Sequence, residues 1–92
     1  MEFTRVDGKY KGEVVLYAIS TCIWCKKTKR ILNKLGIEYR YIDVDLLPED
    51  EKAEVEKEVL KWKEHAIYPL IVIDNEKCIP QYDAEKMKRE LG

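Results

Sequence analysis

Residues 14–25 read Val14-Val15-Leu16-Tyr17-Ala18-Ile19-Ser20-Thr21-Cys22-Ile23-Trp24-Cys25. Six consecutive apolar residues rich in β-formers have the pattern of a strand covered on both faces. Ser20 and Thr21 then offer hydroxyls to cap a helix beginning near Cys22. Downstream, Cys25, Thr28, Leu32 and Leu35 recur at helical spacing with Lys and Arg between them, and Gly36 is a natural helix stop. The stretch therefore reads as a buried strand running into a helix, with a Cys-x-x-Cys unit at the junction.

Working outward, Ile37 to Val44 reads as a second strand, and Pro48 opens a charged helix from Glu49 to about Ala66. The apolar face of that helix is Val55, Val59, Trp62 and Ala66. Tyr68-Pro69 breaks the pattern. Leu70 to Ile73 is another buried-type strand, Asp74 to Lys77 has turn composition, and Cys78-Ile79 begins a short strand. Tyr82-Asp83 leads into a last helix with Ala84, Met87 and Leu91 on one side. At the other end, Phe3–Val6 and Lys9–Lys11 flank Asp7-Gly8, a dipeptide that favours a hairpin turn, and predict a small N-terminal β extension. After that extension the order is β-α-β-α-β-β-α. The first βαβ unit implies a parallel pair joined by a right-handed crossover, and the last two strands an antiparallel pair. The expectation is an α/β fold: a mixed four-stranded sheet flanked by helices, in a single domain over residues 1–92.

Composition excludes several classes. The 17 basic and 18 acidic residues give a net charge of −1, without the basic excess of a nucleic-acid binder. No apolar run approaches the roughly 20 residues that span a bilayer, and residues 1–11 lack an apolar signal-peptide core. The chain is expected to be cytoplasmic and monomeric, with no nucleic-acid or membrane partner. Its 3 cysteines do not suit a secreted disulfide scaffold.

A thiol at the start of a helix meets free backbone N–H groups and the positive end of the helix dipole, which favour the thiolate. Lys26, Lys27, Lys29 and Arg30 add positive potential near Cys22. Cys25 lies one turn further on, within reach of the first sulfur. This spacing suits a two-step exchange: Cys22 attacks a disulfide, and Cys25 resolves the mixed disulfide, leaving a redox-active Cys22–Cys25 disulfide and requiring no other cofactor. The alternative is a zinc or iron–sulfur site built from Cys22, Cys25, Cys78 and His65. Neither Cys78 nor His65 belongs to a second closely spaced ligand pair, and the strand–Cys-x-x-Cys–helix context favours redox chemistry.

The chain resembles the glutaredoxins of the thioredoxin superfamily. The resemblance rests on Val14-Val15-Leu16-Tyr17, Thr21-Cys22-Ile23-Trp24-Cys25, the Lys-rich helix, Ile42-Asp43-Val44-Asp45 and Tyr68-Pro69, and runs from about Val14 to Leu91. It implies a thioredoxin fold, with Cys22 as the attacking thiol, Cys25 as the resolving thiol, Pro69 as a cis-proline facing the pair, and Ile67 and Tyr68 lining a substrate groove. Aromatic-Pro dipeptides favour the cis form. It also implies a place in electron transport and cell redox homeostasis, with disulfide-containing proteins as substrates and a thiol or a flavoprotein reductase as electron donor. Asp83 matches an acidic residue that caps the last helix and can meet the glutathione amine. An ordinary cap explains it equally well.

The departures are informative. Ile23-Trp24 replaces the family's usual Pro-Tyr between the cysteines. Ile19 stands where a lysine often binds the glutathione carboxylate, and Ile67-Tyr68 replaces Thr-Val. Pro80-Gln81 stands where a Gly-Gly pair lets backbone approach glutathione, and proline has no N–H to donate. These departures count against glutathione, and a protein disulfide or another low-molecular-weight thiol stands beside it. Trp24 reads as an exposed hydrophobic contact for partners. Trp62 reads as core, His65 as a helix-end residue, and Cys78 as a small buried hydrophobe.

Overall fold

A computed structural model of the chain describes residues 3–63 and 67–92. Five strands form one sheet in the order β1-β3-β2-β4-β5: β1 Thr4–Val6, β2 Val14–Ala18, β3 Tyr39–Asp43, β4 Leu70–Ile73 and β5 Lys77–Pro80. β2 and β3 are parallel, while β2–β4 and β4–β5 are antiparallel. Three α-helices, α1 Ile23–Leu35, α2 Glu49–Leu60 and α3 Ala84–Leu91, cover the sheet. This is the expected four-stranded mixed sheet, widened by one N-terminal strand.

Alternation along the strands divides the core into two layers. Val14, Leu16, Ala18, Ile71, Ile73 and Ile79 point to the α1/α3 side, where Cys25, Leu32, Met87 and Leu91 close the layer. Val15, Tyr17, Leu70 and Val72 point to the other side, against Val55 and Val59 of α2. All five residues of β2 are buried, as its unbroken apolar run requires. Gly36 ends α1 at φ 68°, a left-handed cap conformation that glycine adopts without a Cβ penalty.

Two expectations are corrected. Asp7-Gly8 does not form a hairpin. β1 instead pairs antiparallel with β3 (Thr4 opposite Tyr41, Val6 opposite Tyr39), and Lys9 makes an isolated parallel bridge to Ile37. Gly8 is needed for close approach: a Cβ there would lie 2.4 Å from the Ile37 carbonyl carbon. α2 ends at Leu60 rather than near Ala66, because Lys61 and Trp62 donate to the carbonyls of Glu58 and Val59, three residues back, and tighten the last turn. Ala66 and His65 lie outside the described residues. Trp62 and Cys78 pack against the α2-side layer, but each is only partly buried rather than in the core. Among the described residues, no helix is long and apolar enough to cross a membrane.

Candidate active site

The carboxyl ends of the parallel strands β2 and β3 open onto the N-terminus of α1. Cys22 is the N-cap of that helix, in extended backbone conformation (φ −80°, ψ 122°). Its sulfur accepts the Cys25 backbone N–H at 3.4 Å. Ser20 and Thr21 therefore do not cap α1 as the sequence suggests. The Ser20 hydroxyl and backbone N–H both donate to the Asp45 carboxylate, at 2.5 and 2.8 Å, and the cap falls to the cysteine. Cys25 sits inside the α1/α3 layer, fully buried, and its sulfur accepts the Ile19 N–H at 3.4 Å.

These placements drive the two thiols apart. Partial burial pushes the Cys22 thiol up, but hydrogen bonds from the Cys25 N–H and thiol and from the Trp24 N–H outweigh it, and its pKa falls below the ordinary thiol value. Burial pushes the Cys25 thiol up to about 12. The hydrogen bond to Cys22 and that sulfur's charge add to the rise, while the Ile19 N–H and the Lys29 ammonium oppose it. The basic side chains of α1 thus act differently from the sequence expectation. Lys27 lies over the Trp24 ring, 4.6 Å from its centroid, and Lys29 is paired with Asp43 at 3.0 Å. The thiolate at Cys22 is favoured by local N–H donors.

The Tyr68-Pro69 peptide bond is cis, as expected. Beside it opens a groove of about 540 Å³ lined by Trp24, Ile67, Tyr68, Pro69, Gln81 and Tyr82. The fold thus brings Trp24, Ile67, Tyr68 and Pro69 together. Asp83 is not among the lining residues; its carboxylate accepts the Lys86 N–H at 3.0 Å and caps α3. Tyr82 and Gln81 were missed in the sequence. Tyr82 packs against Trp24 with ring centroids 5.2 Å apart, a contact between residues 58 positions apart that no local pattern reveals. Gln81 did carry a signal, since it stands in place of a family glycine. It keeps a left-handed backbone, φ 61°, and its N–H donates to the Pro69 carbonyl at 2.8 Å.

The metal-site alternative finds no support. Cys22 and Cys25 belong to the α1/α3 side of the sheet, whereas Cys78 packs on the α2 side. Among the described residues, no cluster of three or more His, Cys, Asp or Glu could hold a metal ion.

The glutaredoxin family model matches residues 14–79, which include both cysteines and the cis-proline. This chain belongs to the glutaredoxin family. Glutaredoxin 1 of Rickettsia prowazekii is 34% identical over 62 residues, 67% of this chain and 62% of that protein. The chain thus spans somewhat less than two thirds of that relative's length. Among solved structures, the Methanosarcina mazei glutaredoxin superposes with a TM-score of 0.91 at 35% identity, covering 100% of this chain and 89% of that one. Methanosarcina acetivorans methanoredoxin gives 0.89 at 38% identity, covering 92% and 90%. Glutaredoxins are a family of small thiol oxidoreductases.

Proposed function

We propose that the chain acts as one glutaredoxin domain that reduces disulfides through Cys22 and Cys25. The observation that carries this reading is the placement of the two thiols at one helix start: Cys22 is the N-cap, its sulfur accepting the Cys25 N–H, while Cys25 is buried beneath it. The Cys22 thiolate attacks one sulfur of a substrate disulfide; that S–S bond breaks, and the other sulfur leaves as a thiolate and takes up a proton. Cys25 gives up its proton and attacks the Cys22 sulfur. The second substrate thiolate leaves, and two electrons have passed to the substrate at the cost of a Cys22–Cys25 disulfide. Burial of Cys25 keeps the resolving thiol protonated until the mixed disulfide has formed.

Trp24, Ile67, Tyr68 and Pro69 form the substrate groove in this reading, and Asp83 supports its rim as a cap. The described lining residues of the groove carry no formal charge, and Ile19 and Pro80 replace family contacts to glutathione. Both features favour a protein disulfide, or a low-molecular-weight thiol other than glutathione, as the partner. The electron donor is then a thiol or a flavoprotein reductase. Even charge and the absence of an apolar span among the described residues suit a monomer working in the cytoplasm in electron transport and redox homeostasis.

The test is insulin-disulfide reduction. Cys22→Ser abolishes turnover, and Cys25→Ser accumulates a mixed disulfide with the substrate. Undiminished turnover in Cys22→Ser overturns the assignment.

A further inference from the structure

A neutral thiol is a poor helix cap, and Ser and Thr are among the best. Here two hydroxyl residues immediately precede the helix, yet Cys22 holds the cap. The feature that separates the two outcomes is Asp45, which follows β3. It takes both donors of Ser20, the hydroxyl at 2.5 Å and the backbone N–H at 2.8 Å. With Ser20 held, the Cys22 N–H turns back to the Ile19 carbonyl at 3.1 Å, and Cys22 remains extended.

We propose that Asp45 is a positioning residue: by clamping Ser20 it keeps the hydroxyls of Ser20 and Thr21 from capping α1 and reserves the helix N-terminus for the sulfur of Cys22. Without the clamp, α1 extends backward by a residue or two onto Thr21 or Ser20. Cys22 then enters the first helical turn, where its sulfur no longer receives the Cys25 N–H. Thiolate stabilisation at the attacking sulfur is lost although neither cysteine has changed.

Other groups around the site do not supply this effect. Cys25 on α1 donates to Cys22 through its own thiol and N–H. Lys29 is engaged with Asp43, and Lys52 of α2 acts on Asp45 itself. Tyr68 packs, like Cys22, against the α1/α3 layer. The sign of the effect also separates positioning from simple charge. Asp45 is an anion beside a thiolate site, so removing its charge alone would make Cys22 more acidic. Loss of the clamp makes Cys22 less acidic.

The inference rests on Cys22 as the attacking thiol, but its readout is ionisation rather than turnover. A failed insulin assay for the cysteine variants and a failed result here are therefore distinguishable. The full-length reduced protein is alkylated with iodoacetamide across a pH series, and modification of Cys22 is followed by peptide mass spectrometry. In Asp45→Ala the Cys22 midpoint rises by about one unit, about tenfold less thiolate at neutral pH. Adding Ser20→Ala and Thr21→Ala to Asp45→Ala removes the competing caps and returns the midpoint toward that of the unsubstituted protein. Ser20→Ala alone leaves it in place, because the Ser20 N–H still holds Asp45. Asp45→Leu is the second variant should Asp45→Ala not fold; it too accepts no hydrogen bond from Ser20, and it moves the midpoint the same way. An unchanged or lowered midpoint in a folded Asp45 variant, or no recovery in the triple variant, overturns the proposal.

Discussion

Cys22 and Cys25 stand three residues apart and are pushed in opposite directions by the same helix turn. After the Ile19 N–H, what tempers the inner thiol is Lys29, one turn beyond Cys25. Its ammonium is held over the Tyr41 ring, 4.1 Å from the centroid, and against the Asp43 carboxylate, with both partners half-buried. That field lowers a Cys25 pKa that burial otherwise raises. Replacing Lys29 by Met removes the cation, which disfavours the Cys25 thiolate. The expected outcome is a mixed disulfide that persists about three- to tenfold longer after a single turnover, because the resolving rate follows the thiolate fraction. Stopped-flow quenching and mass analysis of the intermediate measure this lifetime. A lifetime equal to that of the unsubstituted protein would remove Lys29 from the account.

Elements were legible in the sequence wherever one local signal decided them. The unbroken apolar run of β2, the stop at Gly36, the start at Pro48 and the turn after Ile73 all stand where the residues place them. Elements set by distant partners were not. Asp7-Gly8 has hairpin chemistry, but pairing of β1 with β3 uses residues more than 30 positions away, and Gly8 answers to the backbone of Gly36 and Ile37. The α1 cap was misread for a similar reason: the residue that takes Ser20 away is Asp45, 25 positions on. Gly8 makes the point testable. A methyl group at Gly8 would meet the Ile37 carbonyl carbon at 2.4 Å and its oxygen at 2.5 Å, and backbone cannot swing aside as a side chain can. Gly8→Ala should therefore cost about 1–3 kcal/mol in denaturant unfolding. The same change should release the Lys9–Ile37 bridge, seen as faster amide exchange at Lys9 and Glu38, whose N–H groups donate to Gly36 and Lys9. Unchanged stability together with unchanged exchange would mean the N-terminal arm is held by other contacts.

For the whole molecule, the layer that houses the chemistry also contributes to its response to alkali. Cys25 and Tyr39 both lie in the α1/α3 layer, and burial pushes each to about 12, from 9.0 and 10.0 respectively. The unfolded chain releases these protons near the ordinary values, while the folded chain retains them. The unfolded state therefore binds fewer protons over this range, and folding stability falls as pH rises. The contribution is complete below pH 9 and is lost progressively between about 9 and 12. Cys22 has the opposite sign. Its depressed value adds stability above the ordinary thiol value and loses it as pH falls through the folded one, so it does not mask a decline in alkali. The reduced protein should lose about 5 °C or more in Tm across that alkaline window. Tyr39→Phe removes one of these titrating groups. It lowers Tm at neutral pH, because the hydrogen bond from the Tyr39 hydroxyl to Asn33, 2.9 Å long, is lost. It also makes the alkaline decline shallower. A shallower slope on a lower baseline is a pattern that a merely weakened core does not produce, since a packing defect lowers Tm without changing its dependence on pH. Calorimetry of the reduced protein at stepped pH decides it: a Tyr39→Phe curve parallel to that of the unsubstituted chain would show that this hydroxyl does not titrate late, and that the layer beneath the thiols is wetter than its burial implies.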